Sequence, residues 1–272
     1  MLLLFSMAGR TAAAECAPGT PGLEKFHEAV RQVEAGERSR PLTVLHLGDS
    51  HISLDGFTRG LRTRWQAQYG DAGRGLMPGV PFRYYAPDGY AVSMTGPWEV
   101  FSSLPADASG PFGIQGFRVE GQAREAAITL VSDTPLSGIE IEAHGGPETG
   151  AFLLTLGEAA PLRLQTRQAE PGYIRFHVPA ANVQAVRLSP AGTGTVRLLG
   201  WAAGKAAVPG VRYDSYGIVA ATAAVTTRWD AGIVRAQIAA LRPDLVILGY
   251  GTNEGFNNGL DPEAYRALVD GF

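Results

Sequence analysis

Two short polar turns hold the residues that could do chemistry, and each one closes a continuous apolar run. Leu42-Thr43-Val44-Leu45-His46-Leu47 runs into Gly48-Asp49-Ser50-His51, and Pro243-Asp244-Leu245-Val246-Ile247-Leu248 runs into Gly249-Tyr250-Gly251-Thr252-Asn253. Both runs read as strands buried on two faces, the pattern of a parallel sheet. Ser50 and Asn253 then lie just past the carboxyl ends of strands, where open α/β sheets place their ligands. A serine there, opening a helix whose free N–H groups favour negative charge, is placed to act as a nucleophile. Alone, Gly-Asp-Ser reads more simply as an Asp or Ser helix cap, and Gly-Thr-Asn-Glu as a polar turn. Together they offer a nucleophile and, in the Asn253 amide, a donor for an oxyanion. The chemistry of such a pair is acyl transfer through a serine ester.

The surrounding pattern shows what must position them. After Thr20-Pro21, the residues Leu23, Phe26, Val30 and Val33 recur at helical spacing, and Gly36 is placed to cap that helix. Phe57, Leu61 and Trp65 mark a second amphipathic helix ending near Tyr69-Gly70. From Phe82 the character changes to short runs rich in Ile, Val, Leu, Thr and aromatics: 126–131, 138–143, 152–156, 173–178, 184–188 and 195–201. Turn residues such as Asp133-Thr134-Pro135, Gly145-Gly146-Pro147 and Glu170-Pro171-Gly172 separate them, as in a β-sandwich or jelly roll. After Pro209-Gly210 helical character returns, with an Ala-rich stretch over 217–226, a helix carrying Ile233, Ile238 and Leu241, and another from Asp261-Pro262. The expected organisation is a discontinuous α/β core, residues 20–81 and 208–272, interrupted by an all-β module over 82–207.

At this point the residues resemble a known family. Leu45-His46-Leu47-Gly48-Asp49-Ser50-His51, Gly217 after a strand-rich insert, and Gly251-Thr252-Asn253-Glu254 are similar to the first three blocks of the SGNH, or GDSL, hydrolase superfamily. The likeness is nearest to its peptidoglycan O-acetylesterase-like branch, which also has a His after the nucleophile (His51), an Asp shortly downstream (Asp55), a Gly-Asp-x-Gly segment (Gly70-Asp71-Ala72-Gly73-Arg74-Gly75) and a carbohydrate-binding-module-like jelly roll between its first two blocks. It spans most of residues 40–272, within the insert as architecture only. The resemblance implies an SGNH-type, flavodoxin-like parallel sheet with helices, interrupted by a jelly-roll module. It implies Ser50 as nucleophile, an oxyanion hole from the Ser50 and Gly217 amides and the Asn253 side chain, supporting roles for Asp49, His51 and Gly251, and no metal or organic cofactor. The substrate class implied is an acetylated glycan, with peptidoglycan foremost.

There are departures. After Gly217 the branch often continues with an Asn and a second Gly, where this chain has Val219-Ala220. The family's Asp-x-x-His block is absent, and the five histidines, His27, His46, His51, His144 and His177, offer no evident replacement. His46 reads as a satisfied core residue and His51 as part of the rim or a substrate contact. The α/β core, with two clear parallel strands, reads as incomplete at its C-terminus, so the catalytic Asp and His are expected beyond Phe272 and the chain alone should be poorly active.

Composition bounds the alternatives. The chain has 272 residues, 45% hydrophobic and 18% charged, an ordinary globular balance. A net charge of −3 gives no reason to expect nucleic acid as a partner. Cys16 is the one cysteine, so no internal disulfide forms. The apolar Met1–Met7 segment and Ala12-Ala13-Ala14 resemble the end of a secretory signal, residues 1–14, implying a secreted or periplasmic bacterial protein, although no Lys or Arg precedes Arg10. No run approaches the ~20 apolar residues of a membrane span. Two other functions fit the same residues: a polysaccharide O-acetyltransferase using Ser50, and a glycan-binding protein with a vestigial core in which Tyr84, Tyr85, Tyr90 or Trp98 stack on sugars.

Overall fold

Strands buried on both faces need helices above and below, and the observed element order supplies them around a large insert. The structure, a computed structural model, describes residues 22–77, 79–81, 87–205, 209–256 and 259–270. The N-terminal signal-like segment, Tyr84 and Tyr85 lie outside them. The first part contains α1 (Glu24–Glu34), β1 (Leu42–Gly48), α2 (Ser50–Ser53) and α3 (Gly56–Tyr69). The strands β2 (Gly75–Met77), β3 (Tyr90–Thr95), β4 (Glu99–Ser102), β5 (Phe117–Gly121) and β6 (Ala127–Gly145) follow. Then come β7 (Ala151–Leu156), β8 (Leu162–Gln165), β9 (Gly172–Pro190) and β10 (Val196–Gly204). The last part holds β11 (Val211–Gly217), α4 (Ala231–Leu241), β12 (Leu245–Gly249) and α5 (Pro262–Asp270).

Among the described residues β11, β1 and β12 form a three-stranded parallel sheet with β1 in the centre. All seven residues of β1 are buried, as its unbroken apolar run requires. On one face Val44 and Tyr213 meet Ala29 and Val33 of α1, with Leu61 and Trp65 of α3 alongside. On the other, Leu45, Leu47 and Tyr216 meet Ile238 and Leu241 of α4. Each fully buried Leu contributes about 1.5–3 kcal/mol. A groove of about 660 Å³ between this second face, α4 and α5 is lined by Leu45, Leu47, Val234 and Leu248. It contains none of the candidate catalytic residues.

The third parallel strand departs from the sequence expectation, because Val211-Arg212-Tyr213-Asp214-Ser215-Tyr216 mixes charge into a buried strand. Arg212 resolves it: its guanidinium donates to both Glu140 oxygens (3.0 and 2.9 Å) and to Asp214 (2.8 and 2.9 Å). Burial by itself would raise the Glu140 carboxyl, but Arg212 and then Arg175 outweigh it and bring it down to about 2. The Ala-rich stretch is also not the expected α-helix. Residues 218–221 form a turn, Ala221 N–H donating to the Ile218 carbonyl at 3.1 Å, and a 3-10 helix covers Ala223–Arg228.

The remaining strands pair antiparallel along the path β4-β5-β10-β6-β9-β7-β8, with β2 on β10 and β3 on β6. Ile128, Leu130, Phe152, Leu188 and Trp201 are fully buried in the core of this nine-stranded sheet. Two pairs of expected strands merge. Asp133-Thr134-Pro135 is an irregularity inside β6 rather than a turn, and the runs 173–178 and 184–188 are both parts of β9. The sheet also reaches back to Gly75 through β2, into the stretch read as core. No helix of the described residues is long and apolar enough to cross a membrane.

Acid should loosen this structure in two stages. Burial lowers the His46 imidazole from 6.5 to about 4, so the folded state favours its neutral form. Its contribution is complete above pH 6.5 and is lost as pH falls through about 4. The contribution of Glu140 is complete above its ordinary 4.5 and lost as pH falls through about 2. Urea unfolding at successive pH values should show stability falling across both windows.

Candidate active site

The three parallel strands end together on glycines: Gly48 of β1 is paired with Gly217 of β11 and Gly249 of β12. The reason is the close seat of α2 on this rim. A side chain on Gly48 would run into the Gly249 carbonyl and the Ile52 side chain, and one on Gly217 into the Asp49 carbonyl and the Ser53 amide. Ser50 is the first residue of α2 and is half-buried at that rim. The helix is a single turn, and the expected amphipathic helix marked by Phe57, Leu61 and Trp65 follows separately as α3. The single turn is held by Ile52 and Ser53 N–H groups donating to the Asp49 carbonyl (3.1 and 3.2 Å) and by Ser53 Oγ donating to the Ser50 carbonyl at 3.0 Å. Among the described residues, Ser50 Oγ has no hydrogen-bond partner.

The chain breaks at Asp55, a non-glycine residue in the left-handed region with φ 56°. Its buried carboxylate is a hub. Oδ1 accepts from Thr58 Oγ1 and Arg62 (both 2.8 Å), and Oδ2 from Arg62 (3.0 Å), Arg74 (2.8 Å) and the Asp88 amide (2.9 Å). Burial alone would raise this carboxyl, but the Arg62 hydrogen bonds and the Arg74 and Arg62 charges hold it far below the usual carboxylate range. The Gly-Asp-x-Gly segment thereby gains a role: it carries Arg74 to the hub, while the Asp71 side chain accepts from the Gly73 amide at 2.8 Å. The long helix α3 starts only after this point. Its Phe57, expected inward, is 59% exposed, and Thr58 and Arg62 take the buried face.

Asp49 is buried beside the serine. Its Oδ1 accepts from the His51 amide at 2.9 Å and lies 3.1 Å from His51 Nδ1. On the third strand, Gly251 takes φ 122° and Asn253 swings to donate through Nδ2 to the Ala221 carbonyl at 2.8 Å. The turn after β11 is thus tied to the turn after β12. Glu254 strengthens this tie and was missed as a functional residue: buried, it accepts from the Ala223 amide at 2.6 Å and the Gly251 amide at 3.0 Å. Its place directly after Asn253 was the available signal. Ala220 stands at φ 65°, a conformation glycine adopts without strain, which gives a physical meaning to the departure after Gly217. Tyr250 is pushed up by its burial and further by the Asp49 and Glu254 charges.

The other histidines lie elsewhere. His46 is buried in β1 with Nδ1 2.9 Å from the Tyr213 hydroxyl, a satisfied core residue. His27 is on α1, and His144 and His177 are on β6 and β9. Tyr90 and Trp98 are half-buried and pack against the core of the nine-stranded sheet.

The fold so assembled is shared with a solved structure described as a peptidoglycan O-acetylesterase in action. The superposition has a TM-score of 0.71 at 23% identity and covers 90% of this chain and 65% of that one. This chain therefore spans slightly under two thirds of that protein's length. An exo-beta-1,3-galactanase from Phanerochaete chrysosporium superposes with a TM-score of 0.31 at 8% identity, over 44% of this chain and 30% of that one. A family 29 carbohydrate-binding module does so at 0.29 and 9%, over 43% and 83%. Neither of these two carries an argument about this chain. The sequence matches no protein-family model and no curated protein.

Proposed function

We propose that this protein is a serine esterase of the SGNH type that removes O-acetyl groups from peptidoglycan or a related glycan. The observation that carries this is the rung Gly48–Gly217–Gly249, which gathers the Ser50 turn, the segment after β11 and the Asn253 turn at one rim. Ser50 Oγ gives its proton to the base as it attacks the acetyl carbonyl carbon, the tetrahedral oxyanion forms, and the base returns that proton to the sugar oxygen as it leaves. Water then hydrolyses the acetyl-Ser50 ester. The amides of Ser50 and Gly217 and the second N–H of Asn253 Nδ2 are assigned to the oxyanion. Asn253 is suited to this because its other N–H is engaged by Ala221, which fixes the amide plane. Asp49 and Gly251 support the two turns. These 272 residues contain no Asp-x-x-His segment, so on this assignment activity is read in a form of the protein that carries one, and the protein acts outside the cytoplasm, where its substrate lies.

Asn253→Ala should lower kcat by ~10²–10³-fold with little change in KM, as for other side-chain oxyanion donors. Steady-state acetate release from a form of the protein carrying the Asp-x-x-His segment measures it. The same assay tests the reaction class. Incubation with O-acetylated peptidoglycan should release free acetate; acetyl groups appearing on an added polysaccharide instead would make the protein a transferase.

A further inference from the structure

His51 is held in a way that its backbone role does not require. Any residue at this position would give its amide to Asp49 Oδ1, the 2.9 Å hydrogen bond that caps α2. The imidazole adds a second bond to the same oxygen, with Nδ1 at 3.1 Å. A carboxylate oxygen accepts and does not donate, so Nδ1 carries a ring proton, and in the neutral imidazole the lone pair is then on Nε2. The Asp49 side chain is 1% exposed, and its other oxygen has no hydrogen-bond partner among the described residues. The orientation of the ring is therefore set from below by a buried, nearly immobile group. The ring itself is 65% exposed, and among the described residues nothing engages Nε2. A fixed acceptor thus faces solvent one residue from the nucleophile.

We propose that His51 Nε2 accepts a hydrogen bond from a sugar hydroxyl of the glycan and so positions the acetylated ring over Ser50. This rests on the esterase reading for the identity of the ligand. The chemistry fits: sugar hydroxyls are neutral donors spaced around a ring, so one of them can reach a fixed acceptor one residue from Ser50. An acceptor with one tautomer distinguishes a hydroxyl from an ether or carbonyl oxygen, which a neutral Nδ1–H imidazole cannot serve through Nε2.

The test uses the 272-residue chain with ¹⁵N-labelled histidine and the tetrasaccharide of N-acetylglucosamine as probe. Nitrogen shifts of the free protein should show His51 protonated at Nδ1, and the Nε2 resonance should move saturably as tetrasaccharide is added. His51→Ala should weaken binding about fivefold, the contribution of one hydrogen bond, while His51→Gln, whose carbonyl restores an acceptor, should recover most of it. A proton on Nε2, no shift up to the solubility limit of the sugar, or equal binding by His51→Ala would each overturn the proposal. Acetate release that depends on Ser50, measured separately, keeps the two readings apart: its loss would remove the esterase while the titration still reports on His51.

Discussion

In a form of the protein carrying the Asp-x-x-His segment, Ser50→Ala is expected to abolish acetate release, by at least ~10³-fold, while leaving the fold unchanged. Removing a serine nucleophile leaves only the modest acceleration that binding and the oxyanion donors provide. The structure explains why stability should not follow. What Ser50 contributes to α2 is its backbone carbonyl, which accepts from Ser53 Oγ at 3.0 Å and the Leu54 amide at 3.4 Å, and alanine retains it. The hydroxyl is half-buried and bonds to no described residue, so its removal leaves no orphaned partner. The change in unfolding free energy should stay within about 0.5 kcal/mol. Paired measurements of acetate release and urea unfolding on the two proteins check this. A variant that retains turnover removes Ser50 from the mechanism, and one that loses turnover together with stability shows that the serine is structural.

Asp55→Ala should act first on stability, a large loss from a residue buried among its own partners. The substitution leaves Arg62 and Arg74, with side chains 6% and 2% exposed, without the carboxylate they share. Breaking a buried ion pair by removing one partner typically costs about 3–5 kcal/mol. That is a large part of the about 5–15 kcal/mol that separates folded from unfolded domains. Asp55 also joins α3, the Arg74 segment and Asp88, so activity should fall as the Ser50 turn loses its support. Asp55→Asn, which keeps the shape and one acceptor, should lie between the two. Chemical unfolding of the three proteins decides it; a loss below about 1 kcal/mol for Asp55→Ala would show that water replaces the carboxylate.

The parts of this arrangement that were legible in the sequence are those with local causes. The unbroken apolar runs of β1 and β12 announce burial on both faces, and the glycine turns that close them announce where Ser50 and Asn253 stand. The parts that were not legible depend on partners far along the chain. β11 reads as polar because the residue that neutralises Arg212, Glu140, comes from a strand 72 positions earlier. Asp133-Thr134-Pro135 reads as a turn by composition, yet β9 is long enough to hold β6 together across it. Phe57 looks like a core residue by spacing, but the charge hub at Asp55 rotates Thr58 and Arg62 inward. Glu254 was not legible because its two acceptor bonds go to the Ala223 and Gly251 amides, on segments that have no apolar period of their own.

The central claim is that Ser50 carries the acyl group. Rapid quenching of the form carrying the Asp-x-x-His segment with an activated acetyl ester such as p-nitrophenyl acetate, followed by digestion and peptide mass spectrometry, tests it most directly. The expected result is a single acetyl group on the peptide containing Ser50, absent from Ser50→Ala and reduced in Asn253→Ala. Acetylation of any other residue, or an equal yield from Ser50→Ala, would contradict it.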